Sequence, residues 1–504
     1  MSPTPFKPLP LGQRIPASLH AVSCSLPTMQ AVRGYEEKDP TVTRHLTSGY
    51  PRFVVHPFAR QLAAHIVETD PALPGRTLWL TSSARMARAL AAHLGGVPAA
   101  RVHECEGLHG VLHAAADADL AARAKLFLQN VGGFLSSREA EDHLVRHGRL
   151  PAAQTEPAFA GDPATEIHRH LRRALPGAGP ADLFLASCGM NAIYAGFRAV
   201  ADLQAARGRT AWVQLGWLYL DTIALLKKLT ATPADYIHQA DVFDLGALEK
   251  IFAARGPQIA GVFAEVPTNP LIQTPDVPAL AALCRRHGVR LLLDPSVASA
   301  FCLDVLPHAD LVVASLTKYT ASEGDLVAGV TAVNPAGPDA AGLRERLPHY
   351  LEPVYPRDQA ALARQIGGTE SVLARIHANV PRVVEFLSRH PAVRDVYWAL
   401  HPASRVNYLK LARSPDATGG LVTFTLRGPL VKFYDRVSLP KGPSFGMKTT
   451  LLCPFMYLAH YDLVTTEAGR AELAANHLDP DLLRLAVGAE PAEDIIAALA
   501  EALA

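Results

Sequence analysis

The sequence has few cysteines, no long apolar run and almost no excess charge. Its six cysteines, scattered over 504 residues, form no C-x-x-C pair, so we expect no disulfide framework and a reducing compartment, the cytoplasm. No apolar run is long enough to span a bilayer, and the opening MSPTPFKPLPLGQRIP lacks the apolar core of a secretory signal. A formal net charge of +1 argues against nucleic acid or a membrane surface as the main partner.

The composition indicates a globular protein, with 49% hydrophobic and 19% charged residues. One segment, RVHECEGLHGVLH, concentrates potential metal ligands: His103, Cys105, His109 and His113. His109 and His113 are spaced to share one face of a helix, as the ligands of a zinc pair do. Because the chain has 21 histidines, chance proximity is expected, and no closing ligand pair has the needed spacing. We therefore expect no metal.

The pattern changes three times along the chain. The start is proline-rich and aperiodic, which predicts an extended arm over residues 1–60. Residues 61–180 contain amphipathic helical stretches and predict a helical region with an extension. Residues 181–345 alternate apolar runs with helical patterns. Residues 346–504 begin with a long helical stretch and continue with strand-like GGLVTFTL and LLRLAVG, which predicts a smaller α+β C-terminal domain.

The alternation over residues 181–345 predicts an α/β fold. The apolar runs IAGVFAEVP, VRLLLDP and ADLVVASL are typical of buried strands, and NAIYAGFRAVADLQAARG and DVPALAALCRRHG are typical of helices. Strands separated by helices predict a mostly parallel central sheet with helices on both faces. Ligands of such sheets bind beyond the carboxyl ends of the strands.

Two ionisable residues stand at predicted strand ends. Lys318 follows the run ADLVVASL, so it is either a salt-bridged surface residue or a nucleophile at the edge of the sheet. Asp294 follows LLL, where a carboxylate is costly to bury unless it is paired. A protonated pyridine nitrogen is one such partner, because an aspartate facing it keeps the ring able to accept electrons. The alternative is an aspartate that caps the next turn.

Small and hydroxyl residues at the same edge indicate a phosphate site. Ser187, Gly189 and Met190 precede a predicted helix, whose first N–H groups can bind a phosphate. Ser315 and Thr317 add hydroxyl groups before the lysine. A phosphate site, a ring partner and a lysine at one sheet edge together predict a pyridoxal 5'-phosphate (PLP) site.

These segments resemble the Cys/Met metabolism PLP-dependent enzymes, the transsulfuration group of PLP fold type I. The motifs are ASCGMNAI, EVPTNPL, LLLDPSVAS, the span from ADLVVASLTKY to DLVAGV, and LLRLAVGAEPAEDIIAALAEAL. Further segments, among them SGYPRFVVHP and SFGMKTTLLCPFMYLAHYDL, are similar to the long fungal-type cystathionine γ-synthases. The resemblance implies an aspartate aminotransferase-like fold with a smaller α+β C-terminal domain, and an N-terminal extension that varies within the family.

The resemblance implies roles around the cofactor ring. Lys318 would bind the PLP aldehyde covalently and shuttle protons, and Asp294 would pair with the ring nitrogen. Asn269 would lie near the phenolic oxygen of PLP and near the substrate. Tyr219, in YLDT, would stack on the ring and could act as an acid or base. Trp217 is a less favoured substitute for it, and we interpret this tryptophan as a core residue.

The resemblance also implies the partners of the phosphate. The expected phosphate ligands on the same chain are Gly189, Met190, Ser315 and Thr317. Tyr50 and Arg52, in GYPRF, would reach the phosphate in a neighbouring subunit, so the resemblance implies a homo-oligomer, either a dimer or a tetramer.

The substrate residues implied by the resemblance are Arg484, which would bind the α-carboxylate of an amino acid, and Ser444. The alternative for Arg484 is a C-terminal salt bridge. The chain departs from the family pattern in two segments. Residues 321–325 read ASEGD in place of G-G-H-S-D, and SFGMKTT carries Thr449 where many members have a glutamate.

The resemblance implies γ-replacement, in which cysteine displaces the acyl group of an O-acyl-homoserine and cystathionine forms. The alternatives are γ-elimination of cystathionine or methionine, sulfhydrylation of an O-acyl-homoserine, and a catalytically silent subunit that only binds. We expect small amino acids as substrates, and neither nucleic acid nor a membrane as a partner.

Overall fold

The computed structural model describes residues 5–48 and 54–504. Tyr50 and Arg52, the residues expected to reach a neighbouring subunit, lie outside the described residues. Within the two described ranges, no helix has both the length and the hydrophobicity needed to cross a bilayer.

The elements are numbered separately as strands and helices, each in chain order. The strands are β1 (Arg14–Ile15), β2 (Ser23–Cys24), β3 (Arg76–Thr81), β4 (Ala100–Cys105), β5 (Leu108–Ala114), β6 (Leu183–Ala186), β7 (Ala211–Leu215), β8 (Tyr236–Gln239), β9 (Ile259–Glu265), β10 (Arg290–Asp294), β11 (Leu311–Ser315), β12 (Gly329–Val333), β13 (Val393–Tyr397), β14 (Leu421–Leu426), β15 (Leu451–Pro454) and β16 (Leu483–Ala486). The helices are α1 (Met29–Glu36), α2 (Pro40–Thr43), α3 (Pro57–Thr69), α4 (Ala84–His93), α5 (Ala118–Val131), α6 (Ser137–Arg146), α7 (Pro163–Ala174), α8 (Gly189–Ala205), α9 (Leu220–Leu229), α10 (Leu245–Arg255), α11 (Val277–His287), α12 (Ala340–Arg346), α13 (Pro356–Ile366), α14 (Thr369–Arg389), α15 (Pro402–Leu409), α16 (Leu430–Arg436), α17 (Phe455–Ala459), α18 (Tyr461–Thr465), α19 (Glu467–Ala475) and α20 (Ala492–Leu503).

The central sheet has seven strands in the order β6-β12-β11-β10-β9-β7-β8. The β12 strand runs antiparallel to both of its neighbours, and the remaining pairs are parallel. Helices cover both faces, as alternate residues of β10 show. Leu291 and Leu293 belong to the hydrophobic cluster on one face of the sheet, whereas Leu292 belongs to a different hydrophobic cluster on the opposite face. The predicted α/β fold with a mostly parallel central sheet is therefore confirmed.

A second, antiparallel sheet lies in the C-terminal part, with the order β13-β14-β16-β15. The predicted strands GGLVTFTL and LLRLAVG correspond to β14 and β16, and the long predicted helix is divided into α13 and α14 by Gly367 and Gly368. Helix α14 packs against β13, β14 and α20. This arrangement is the α+β unit that the sequence predicted.

The region predicted to be helical also contains a three-stranded antiparallel sheet, β3-β5-β4. The sequence analysis missed this sheet, and the histidine spacing pointed wrongly to a helix: His109 and His113 lie on β5. The turn between β4 and β5 consists of Glu106 and Gly107, which have φ values of +50° and +80° and suit a tight hairpin. His113 is a structural residue, since its Nε2 accepts a hydrogen bond from Trp79 Nε1 at 3.0 Å.

The N-terminal segment is more ordered than an extended arm. Helix α1 begins after Thr28, whose side chain accepts a hydrogen bond from the Ala31 N–H, and it buries Met29, Val32 and Tyr35. These residues join the main core cluster. A helix of eight residues is too short to stand out from a proline-rich background, so its packing against the rest of the protein decides its structure. The boundaries at residues 60, 180 and 345 stay predictions.

A buried arginine joins the region of residues 61–180, here called the extension, to the central part of the protein. The side chain of Arg138, on α6, is fully buried. Its Nη1 donates to Asp358 Oδ1 at 2.8 Å and to the Asp325 carbonyl at 3.0 Å, and its Nε donates to Glu156 at 2.9 Å. Because Asp325 follows Lys318 by seven residues, this arginine also fixes the loop after that lysine.

We predict that Arg138→Ala strongly destabilises the protein. Removing the guanidinium leaves the buried carboxylate of Asp358 without its cation, which costs about 3–5 kcal/mol in comparable cases. Arg382→Ala is the control, because Arg382 pairs with Glu493 on the surface, where an ion pair contributes about 1 kcal/mol at most. The measurement is the midpoint of denaturant-induced unfolding. Equal midpoints for the two variants would contradict the prediction.

Candidate active site

Three ionisable side chains meet at the carboxyl edge of the central sheet. Glu265 and Asp294 are the last residues of β9 and β10 and face each other in register, and Lys318 follows the end of β11. All three line one pocket, here called the active-site pocket. Parallel strands that end at one edge bring together residues that lie far apart in the sequence.

Lys318 is buried and forms a specific contact. Its side chain donates a hydrogen bond from Nζ to Ser444 Oγ at 2.7 Å, and Nζ lies 4.7 Å from the centre of the Phe445 ring. Gly446 has a φ of +70°, and a Cβ at this position would lie 2.8 Å from the Tyr319 nitrogen. The glycine therefore allows the Ser444 segment to approach the lysine closely. The surface alternative for Lys318 is wrong, because only 7% of the residue is exposed.

Asp294 both caps a turn and lines the active-site pocket. Its Oδ1 accepts a hydrogen bond from the Ser296 N–H at 2.8 Å. Burial raises the pKa of Asp294 to about 6, although the hydrogen bonds from Ser296 oppose this shift. The turn-capping alternative is thus observed together with the pocket position. Burial removes the water that would stabilise the charged carboxylate. A cationic ring nitrogen next to this carboxyl would stabilise the charged form instead.

Glu265 is a second buried carboxyl that the sequence analysis did not identify. Its Oε1 accepts a hydrogen bond from the Tyr219 N–H at 2.5 Å, and its buried Oε2 has no hydrogen-bond partner in the described part of the chain. Burial, followed by the nearby charge of Asp294, raises the pKa of Glu265 well above its usual value. The signal was present in the sequence, because an acidic residue ends IAGVFAE just as one ends LLLD.

Arg484, on β16, reaches the active-site pocket from the second sheet. Its Nη1 donates to Asn269 Oδ1 at 3.2 Å and its Nη2 donates to the Ser444 carbonyl at 3.0 Å, whereas its buried Nε has no partner in the described chain. Its guanidinium lies 5.1 Å from the Phe445 ring centre and 4.7 Å from that of Phe455. Among the described residues no carboxylate lies within ion-pair distance, so the predicted alternative of a C-terminal salt bridge is not observed. The guanidinium can therefore bind a carboxylate.

The expected phosphate ligands are only partly brought together. Gly189, Met190 and Ser315 line the active-site pocket, and Gly189 is the first residue of α8. A Cβ on Gly189 would come within 2.7 Å of Ser315 Cβ, so a glycine is needed for this close approach. Thr317 does not line the pocket, and its hydroxyl accepts a hydrogen bond from the Ala328 N–H at 3.2 Å.

The remaining predicted residues occupy different positions. Tyr219 lines the active-site pocket and directly precedes α9. Trp217 is buried outside the pocket lining and donates a hydrogen bond from Nε1 to His460 Nε2 at 3.1 Å, as a core residue does. Thr449 does not line the pocket either. Its neighbour Thr450 donates a hydrogen bond from its hydroxyl to Glu490 at 2.8 Å.

This arrangement fits PLP. A lysine amine, a buried aspartate and the N-terminus of α8 offer partners for the aldehyde, the ring nitrogen and the phosphate of the cofactor. The unpartnered Glu265 Oε2 and Arg484 Nε show that the pocket contains polar atoms whose hydrogen-bonding capacity is not used within the described chain. Buried polar atoms are normally hydrogen-bonded, so these two atoms indicate a polar ligand.

Comparison with known proteins agrees with this site. The sequence model of the family "Cys/Met metabolism PLP-dependent enzyme" matches residues 160–504. An L-2-amino-4-chloropent-4-enoate dechlorinase/desaturase from Streptantibioticus cattleyicolor is 42% identical over 493 residues, covering 97% of this chain and 96% of that protein. A cystathionine γ-synthase from Neurospora crassa is 26% identical over 620 aligned positions and covers 98% of both chains.

Solved structures show the same fold. A cystathionine γ-synthase from Xanthomonas oryzae in complex with cystathionine has a TM-score of 0.57 at 23% identity, covering 70% of this chain and 88% of that one. A cystathionine γ-lyase from Lactobacillus plantarum complexed with L-serine has the same TM-score at 21% identity, covering 68% and 86%. The family match covers more than half of the chain, the relative that is 42% identical spans nearly all of it, and the family uses PLP. The chain therefore belongs to the Cys/Met metabolism PLP-dependent enzymes.

Proposed function

We propose that the protein is a PLP-dependent lyase that removes a leaving group from the γ-carbon of a small amino acid with an apolar side chain. The candidate substrate is L-2-amino-4-chloropent-4-enoate, and the proposed reaction is the loss of HCl from it. The relative of 42% identity, which carries this substrate in its name, supports the proposal. The main support is the chemistry of the pocket wall.

Part of the wall of the active-site pocket is apolar and includes the side chains of Leu220, Phe445, Phe455, Leu458 and Ala459. Among the described residues, the charged members of the lining are Glu265, Asp294, Lys318 and Arg484. Asp294, Lys318 and Arg484 have proposed roles toward the cofactor or the α-carboxylate, and Glu265 accepts a hydrogen bond from the Tyr219 N–H. A chloroalkenyl group needs no polar partner, so it suits this wall.

Different residues of the chain would perform different parts of the reaction. Arg484, oriented by Asn269, would bind the α-carboxylate of the substrate through a guanidinium fork. Bound PLP would supply an electron sink for the electrons of the Cα–H bond. Lys318, placed by Ser444, would take the Cα proton and carry protons between carbon atoms. Chloride would leave Cγ and one proton would leave the substrate, so that the net change is the loss of HCl.

The second candidate is γ-replacement on an O-acyl-homoserine by cysteine, giving cystathionine. The Neurospora crassa relative, which covers 98% of both chains, supports it. The apolar wall counts against it, because an incoming cysteine brings an amino group and a carboxylate of its own. A buried charge without a partner is costly, and the described lining has no cation besides Lys318 and Arg484 to receive this second carboxylate.

We predict that the purified enzyme with PLP releases chloride from L-2-amino-4-chloropent-4-enoate. We expect kcat/KM for this substrate to exceed that for O-acetyl- or O-succinyl-homoserine with cysteine by at least about tenfold, equal to roughly 1.4 kcal/mol of transition-state binding. Chloride is measured by ion chromatography and the amino acids by mass spectrometry. Faster formation of cystathionine would favour the second candidate, and 2-oxobutyrate without thiol incorporation would indicate a homoserine-type γ-lyase.

We predict that Lys318→Ala lowers kcat by at least about a hundredfold, because the variant lacks the base that moves protons at Cα and Cβ. The fold should be kept, since the smaller side chain only vacates space in the active-site pocket. Lys410→Ala is the control, because Lys410 pairs with Asp276 on the surface. The measurements are turnover and the far-ultraviolet circular dichroism spectrum. Retained turnover would refute the assignment of Lys318.

We predict that Asp294 makes the PLP-free protein less stable as the pH rises. Its pKa is raised from 3.8 to about 6 by burial, so the folded state favours the neutral carboxyl. The free energy of unfolding should fall between these two pH values, by about 3 kcal/mol in total since one pKa unit corresponds to about 1.4 kcal/mol. Asp294→Asn should make the fall smaller than in wild type, because Glu265, whose pKa burial also raises, contributes a fall of the same sign in both proteins. The exposed control Asp119→Asn should keep the full fall. Parallel curves for wild type and Asp294→Asn would contradict the prediction.

A further inference from the structure

The end of helix α5 contacts two turns of the active site. Helix α5 belongs to the extension, outside the region that the family model matches. Its last residues, Gln129–Val131, and the following Gly132 are buried against the segments that contain Tyr219 and Gly189. These contacts either only hold the extension in place or also set the geometry of the active site.

The first contact holds the Tyr219 turn. Asp221 lies in the first turn of α9, two residues after Tyr219, and is buried. Its Oδ1 accepts hydrogen bonds from Gln129 Nε2 and Asn130 Nδ2, each at 2.9 Å. Lys228 donates from Nζ to Asn130 Oδ1 at 2.9 Å, so the amide of Asn130 is held in one orientation.

The second contact holds the turn before Gly189. The Ser187 hydroxyl donates to the Gly132 carbonyl at 3.1 Å, and Asn191 Nδ2 donates to the Val131 carbonyl at 3.3 Å. Gly132 has a φ of +71°, and a Cβ there would lie 2.5 Å from Cys188 Sγ. The chain can therefore approach this turn closely only because residue 132 is a glycine.

The burial of the Asp221 carboxylate depends on these contacts. A buried carboxylate is costly unless it accepts hydrogen bonds, and the extension provides two of them. The aspartate and the extension thus depend on each other.

We propose that residues 129–132 are a positioning element of the active site, which holds the Tyr219 turn and the Ser187–Met190 turn at a fixed separation through Asp221, Ser187 and Asn191. Tyr219 and Gly189 line the active-site pocket from two different turns, so a shift of either turn would change how the ring and the phosphate of PLP are bound. The proposal concerns cofactor binding, and its failure would leave the proposed substrate unaffected.

The first test compares two buried glutamines. Gln129→Met removes a hydrogen bond to Asp221 at nearly constant volume. Gln204→Met is the matched control, because Gln204 is fully buried and its Nε2 donates to the Ala260 and Gly288 carbonyls at 3.0 and 3.1 Å, far along α8 from Gly189. Both variants should lower the unfolding midpoint.

Only Gln129→Met should weaken PLP binding, measured by titrating PLP into the cofactor-free full-length protein. We expect the dissociation constant to rise about tenfold, equal to roughly 1.4 kcal/mol of binding free energy. An unchanged dissociation constant in Gln129→Met, or an equal rise in Gln204→Met, would overturn the proposal and leave the contact with a structural role alone.

The second test exchanges donor and acceptor. Asn130→Asp places two carboxylates against each other and should weaken PLP binding and the visible circular dichroism of the bound cofactor. The double variant Asn130→Asp with Asp221→Asn restores one donor and one acceptor, and it should return the dissociation constant to within about threefold of wild type, because paired changes in contacting residues are not additive. A double variant that binds PLP no better than Asn130→Asp would also overturn the proposal.

Discussion

The structure depends on holding four ionisable side chains together in one place out of water. Asp294, Glu265, Lys318 and Arg484 all line the active-site pocket, and each is at least nine-tenths buried. A buried charge without a partner costs several kcal/mol, so burial disfavours the charged forms of the two carboxyls and raises the pKa values of Asp294 and Glu265. The central sheet provides two carboxyls and the amine at its edge, and the second sheet provides the guanidinium. Ser444, which bonds the lysine and lies next to the arginine, joins the two contributions.

The sequence was sufficient to locate this pocket because several of its ionisable residues lie at the ends of predicted strands. Asp294 and Lys318 each follow an apolar run, and parallel strands bring such ends to one edge whatever their distance in the sequence. Glu265 carries the same signal and could have been found. Phe455 and Leu458 could not, because they approach the pocket from a short helix after β15, and no local pattern shows which face of that helix points inward.

The extension was the least predictable part. The hairpin at Glu106 and Gly107 depends on backbone conformations that the spacing of the histidines does not reveal. The same limit applies to the α5 contacts, since a side chain that bonds a distant Asp221 looks like any polar residue in a helix. Composition and periodicity report which residues are buried, whereas partners across long sequence distances depend on the assembled fold.

The hydrogen bonds from Ser187 and Asn191 to the carbonyls of Gly132 and Val131 affect how the protein can be truncated. A truncated gene beginning near residue 160, where the family match starts, would encode every residue of the active-site pocket. It would nevertheless remove the acceptor of the Ser187 hydroxyl and one of the two acceptors of the Asn191 amide, and would expose the apolar surface beneath α5. The polar residues that lose their acceptors would have to be replaced before such a fragment could serve as a minimal catalytic unit.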